Sequence, residues 1–171
     1  MIVLTTETIH ALFVALNDEL SSRGVLGEVG LCGGAVMCLV FQARNSTKDV
    51  DAVFEPAGEI REAAAIVARN FGITEDWLND AAKGFFLSDP PRHHVMELSN
   101  LRVWAPTAEY MLAMKCVSAR FDSHDRSDVE YLIRQLGLGS SAAVFEIICR
   151  YYPHERVPAK TAFFVEEILD E

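Results

Sequence analysis

The sequence predicts an α+β fold, a small mixed sheet with flanking helices, followed by a helical C-terminal part. Three observations lead there. Apolar residues recur at helical spacing at both ends of the chain, extended runs are confined to its middle, and no repeat or low-complexity linker interrupts it. The expected division is an α+β core over residues 1–104 and a helical part over 105–171 packed on it. With 171 residues, half of them hydrophobic, the chain is long enough to bury a large core.

The elements follow in order. Residues 6–23 place Ile9, Leu12, Phe13, Leu16 and Leu20 on one stripe, and Gly24 stops the helix. The run "GEVGLCGG" is a short strand closed by a tight turn. "AVMCLVFQAR" suits a buried helix, although its length also allows a strand. "DVDAVF" is the next strand, ended by Pro56. "GEIREAAAIVARNFG" is a helix with Ile60, Ala63, Ala64, Val67 and Phe71 on one side, and "EDWLNDAAKGFF" is expected as a short helix. "HHVMELSNLRVWAP" reads as a hairpin around "SN". Pro106 suits the first turn of a helix running through "TAEYMLAMKCVSAR". "DRSDVEYLIRQLG" carries Val129, Leu132, Ile133 and Leu136 at helical spacing, with Gly137 as its stop. "SAAVFEIICRYY" and "AKTAFFVEEILDE" are the last helices.

Composition narrows the function. A net charge of −10 without a lysine-arginine cluster disfavours broad nucleic-acid binding. It is compatible with a bound cation, a small nucleotide carried with magnesium, or a structured RNA on a local patch. No apolar run approaches the roughly 20 residues needed to span a bilayer, and the opening "MIVLTTETIH" lacks a signal peptide's pattern. Cys32, Cys38, Cys116 and Cys149 are scattered and read as buried thiols, which implies a reducing compartment, the cytoplasm. His93 and His94 are neighbours on an extended run, so their rings diverge, and a surface role suits them better than metal binding.

"RNSTKDVDAVFEP" sets Asp49 and Asp51 around Val50 at the head of an apolar run. Alternate strand residues face one side, so the two carboxylates project together, roughly 6 to 7 Å apart along the backbone. Their repulsion is costly unless a cation lies between them. Magnesium takes oxygen ligands, often one or two carboxylates plus phosphate oxygens. Gly33-Gly34, between a strand and a helix, lets main-chain amides approach such phosphates, and a helix start favours anions. Each feature alone is commonplace: most diglycines serve turn geometry, and most isolated Asp-x-Asp pairs are solvated strand edges. Their order along the chain is the informative part.

"LCGGAVMCLVFQARNSTKDVDAVF" resembles the signature of the nucleotidyltransferase superfamily, with its DNA polymerase beta-like fold: a hydrophobic-Gly-Gly turn, a helix, and Asp-hydrophobic-Asp on the next strand. Arg44, Thr47 and "TKDVD" bring it closer to the AbiEii-type bacterial enzymes, among them toxin components of toxin–antitoxin pairs. "EYMLAMKCVSARFDSHDRSDVEYLI" resembles that branch's downstream motifs through Lys115, Arg120, Asp125 and Asp128. The resemblance covers about residues 26–54 and 105–134.

The resemblance implies roles. Asp49 and Asp51 hold one or two Mg2+ (or Mn2+) ions, one activating the acceptor hydroxyl and one steadying pyrophosphate. Gly33 and Gly34 cradle phosphates, and Arg44 and Thr47 support the loop or touch phosphate. Lys115 neutralises a phosphate oxygen, or, equally well on residue type, pairs with Asp125 or Asp128. Those two aspartates share a helix face. They complete the acidic cluster, position Lys115, or favour the positive end of their helix. Glu97 is the positional candidate for a third carboxylate, although no motif fixes it and a plain exposed glutamate is the commoner reading. The expected function is transfer of a nucleoside monophosphate from a nucleoside triphosphate to an RNA end, a protein side chain or a small molecule, with a cognate antitoxin as a partner if the chain is toxin-like. The alternatives are a non-catalytic nucleotide- or protein-binding member of the fold, and a plain scaffold.

Overall fold

The computed structural model describes residues 2–118 and 123–170. It is α+β, and the chain divides into two units, Met1–Gly84 with Arg92–Pro106, and Phe85–Pro91 with Thr107–Glu171.

The first unit runs β1 (Leu4–Thr5), α1 (Thr6–Ser22), β2 (Gly27–Cys32), α2 (Gly33–Leu39), β3 (Ser46–Thr47), β4 (Val50–Glu55), α3 (Ala57–Phe71), β5 (Leu78–Asn79), β6 (Arg92–Glu97) and β7 (Leu101–Pro106). Five strands form a mixed sheet in the order β5-β4-β2-β7-β6, with β2 antiparallel to β4 and parallel to β7. The predicted hairpin is the β6–β7 pair.

The stripe Ile9, Leu12, Phe13, Leu16 and Leu20 is fully buried, so α1 forms as its periodicity dictates. α1 and α3 pack on each other and reach β7 and β4. A Cβ on Gly27 would meet Leu20 and Ile60, which places Gly27, and with it Val29 and Leu31, on the helix-covered face. Gly30 points the other way, and a Cβ there would overlap the indole of Trp104, its partner on β7. Arg92 stacks on that indole at 3.9 Å and pairs with Glu28 at 3.2 Å.

Several sequence expectations change here. Phe71 is exposed and Ala68 takes the last buried place on α3, which ends at Gly72 in the left-handed region. "EDWLNDAAKGFF" is not a helix: two 3-10 turns, Glu75–Trp77 and Lys83–Phe85, flank β5, which pairs with β4. Tertiary pairing, not local periodicity, defines that two-residue strand. Pro106 ends β7 instead of opening a helix. Cys149 is exposed, unlike the other cysteines.

The second unit comprises α4 (Ala108–Ser118), α5 (Ser123–Gln135), α6 (Ser141–Tyr151) and α7 (Ala159–Leu169). α4 is apolar and buried nearly all round, with α5, α6 and α7 against it. Phe85–Pro91 belongs here because Tyr152 Oη donates to the Phe85 carbonyl at 2.6 Å and Phe86 stacks on Tyr110. The first helix of this unit begins at Ala108, and the unit takes in the earlier segment Phe85–Pro91.

Candidate functional site

The diglycine bend and the aspartate strand meet in the first unit. Register pairs Cys32 with Asp51 and Leu31 with Ala52 across β2 and β4. Paired residues share a face, so Ala52 joins Leu31 on the helix-covered side and Asp51 projects from the opposite one. Val50 is buried, while Asp49 and Asp51 are half-buried. Asp49 sits at a bend just ahead of β4, which starts at Val50.

Gly33 has φ 63°, a left-handed conformation that favours glycine, and its missing Cβ would stand 2.8 Å from Asp51 Oδ2. Asp51 therefore lies directly against the bend. The place of a Gly34 Cβ is 2.5 Å from Thr47 Oγ1 and 3.1 Å from Arg44 Nη1. Gln42, with φ 54°, helps turn the loop back so that Arg44 returns to the bend. β1 fixes Thr47 by pairing it with Leu4, and the Thr47 hydroxyl donates to the Asp49 carbonyl at 3.2 Å. Gly33, Gly34, Arg44, Thr47, Asp49 and Asp51 form one cluster. α2 has only seven residues, so its macrodipole is small and the anion-binding contribution expected from a helix start is minor.

Asn79 on β5 completes the cluster, and sequence reasoning missed it. It pairs in register with Asp51, and its Nδ2 donates to Asp49 Oδ2 at 3.3 Å. Only a strand assignment for "LN" would have revealed it. Glu97 is not a third carboxylate here. It lies on edge strand β6, three strand spacings from β4, or roughly 14 Å. Its register row continues through Arg102 and Glu28 to Glu55, at the opposite end of β4 from Asp51. There Glu28, Glu55, Glu97 and Arg102 line a separate groove of about 480 Å3. His93 and His94 are exposed on β6.

Among the described residues no three or more His, Cys, Asp or Glu side chains are grouped to enclose a metal ion. Mg2+ seldom uses such an all-protein cage; one or two carboxylates with substrate phosphates and water suffice. Asp49 and Asp51, the latter directly against Gly33, are the two carboxylates such a site would use.

Lys115, Asp125 and Asp128 form their own cluster in the second unit. Lys115 Nζ lies 2.6 Å from Asp128 Oδ2 and 3.2 Å from Asp125 Oδ1. The Lys115 and Asp128 side chains are 9% and 2% exposed, against 19% for Asp125, so Asp128 is the principal partner. An ammonium on a helix buried all round needs such carboxylates to offset desolvation. Arg120, the remaining residue of that motif, lies outside the described residues. Burial pushes the neighbouring Cys116 thiol up to about 12, so it stays protonated. No helix among the described residues is long and apolar enough to cross a membrane. Comparison with family models, curated proteins and solved structures gave no match to this chain.

Proposed function

We propose that the chain is a magnesium-dependent nucleotidyltransferase, transferring a nucleoside monophosphate from a nucleoside triphosphate to a hydroxyl acceptor. The observation that carries this reading is the approach of Asp51 to the Gly33 bend, where the absent Cβ leaves 2.8 Å to Oδ2. Asp49 and Asp51 would hold Mg2+ or Mn2+, which supplies neutralisation of the triphosphate's charge. Gly33 and Gly34 would offer main-chain amides to phosphate oxygens, with Arg44 as a cation beside Gly34. In the transfer, the acceptor oxygen bonds to the α-phosphorus as the bond to the α–β bridging oxygen breaks. Pyrophosphate leaves with that electron pair, and the hydroxyl proton passes to solvent. An RNA end, a protein side chain or a small molecule satisfies this chemistry as acceptor. A toxin role with an antitoxin partner rests on the family resemblance alone.

Calorimetry with Mg2+ and ATP, GTP, CTP or UTP tests the proposal. Binding of at least one triphosphate, lost in Asp49→Ala and Asp51→Ala, is the expected result; no binding of any of them by the wild-type protein refutes it. One observation favours a second reading, a nucleotide binder without turnover: among the described residues no third carboxylate is grouped with Asp49 and Asp51. Pyrophosphate release in the presence of RNA, protein and small-molecule acceptors distinguishes the two.

A further inference from the structure

We infer that Asn79 is a positioning residue for Asp49, holding its carboxylate in the orientation that receives a divalent cation. The inference rests on the reading that Asp49 and Asp51 bind such a cation. The Asn79 amide is held at both ends. Its Oδ1 accepts from the Ala81 N–H at 3.2 Å, which leaves Nδ2 to donate to Asp49 Oδ2 at 3.3 Å and to the Asp76 carbonyl at 3.4 Å. The backbone under it is held as well. Trp77, two residues earlier, is buried, donates Nε1–H to the Ala64 carbonyl at 3.0 Å and packs against Phe13. Leu78 is buried and pairs with Val50, and Asn79 pairs with Asp51. A side chain pinned by its own turn, on a strand anchored by a buried tryptophan, imposes its geometry on a partner at a bend. Asp49 lies at that bend, ahead of β4.

The residue type suits this task. A neutral amide donates one hydrogen bond to Asp49 without removing its negative charge. A carboxylate at 79 would instead repel Asp49 when no cation is present. Partners behind a metal ligand orient it and typically contribute about 10- to 100-fold to affinity.

The test is titration of the full chain with Mn2+ alone, read by electron paramagnetic resonance, with thermal melts in parallel. Asn79→Ser keeps an oxygen for the Ala81 N–H but is too short to reach Asp49, so it separates the turn from the positioning. Wild type should bind Mn2+ and Asp51→Ala should not. Asn79→Ser and Asn79→Ala should bind about tenfold more weakly with little change in melting temperature. Asn79→Asp should melt lower without metal and recover as Mn2+ is added. Wild-type affinity in the folded Asn79→Ser variant, with binding still lost in Asp51→Ala, overturns this inference alone. Absence of Mn2+ binding by the wild-type protein overturns both it and the reading beneath it.

Discussion

Gly33→Ala isolates the feature on which the functional reading turns, and Gly72→Ala supplies its control. Both glycines are left-handed, with φ 63° and 67°, so an alanine at either meets the same backbone penalty, about 1–2 kcal/mol. For a chain of this size that corresponds to a fall in melting temperature of roughly 2–8 °C. The positions differ in what a methyl group touches. At Gly72 nothing lies within 4 Å, whereas at Gly33 the methyl would stand 2.8 Å from Asp51 Oδ2. Restoring ordinary contact, about 3.5 Å, moves the carboxylate by roughly 0.7 Å. Metal-ligand distances tolerate only about 0.2 Å, so the displaced Asp51 becomes a poor ligand. Gly33→Ala should therefore melt no higher than Gly72→Ala, and only Gly33→Ala should lose affinity for Mg2+–triphosphate, by about tenfold in calorimetry. Equal triphosphate binding by Gly33→Ala and wild type would refute the claim that the bend and Asp51 form one site.

In the second unit, Asp128→Ala leaves Lys115 poorly compensated and should cost about 3–5 kcal/mol in urea unfolding. Asp125→Ala, at the more exposed partner, should cost about 1 kcal/mol, and equal losses would contradict the assignment of Asp128 as principal partner. Gly30→Ala forces the Trp104 indole off β2 and should destabilise by about 1–3 kcal/mol; a wild-type melt would show that the indole does not lie over Gly30. Native protein treated with iodoacetamide at pH 8 should be alkylated at Cys149 and not at Cys116, whose thiol is buried and pushed up to about 12. Mass spectrometry of native and denatured samples reads this directly, and rapid labelling of native Cys116 would contradict its burial.

Periodicity carried much of the fold. The α1 stripe was legible because a helix buried on one side repeats its apolar residues every three or four positions, whatever it packs against. The β6–β7 hairpin was legible because "SN" separates two extended runs. β5 was not, since two residues hold no period and its identity comes from pairing with Val50 and Asp51. Phe71 misled because an apolar residue at the right spacing can still fall beyond the covered turn of its helix, and it is 44% exposed. Glu97 is exposed, as the plainer reading of it expected, and its distance from the aspartates was not legible because sequence order does not give strand order. β6 follows β4 and β5 in the chain yet lies on the far edge of the sheet.

The sequence by itself determined the α+β class, the positions of the long helices, and the kinship of Asp49 and Asp51 as two carboxylates around a buried valine. These depend on local chemistry and on periods of two or 3.6 residues. Only the tertiary structure decided that Asp51 faces Gly33, that Arg44 and Thr47 close on Gly34, that Asn79 joins them, and that Asp128 is the nearer partner of Lys115. Those relations depend on strand register and on which elements become neighbours, and both are settled by long-range packing that no window of sequence contains.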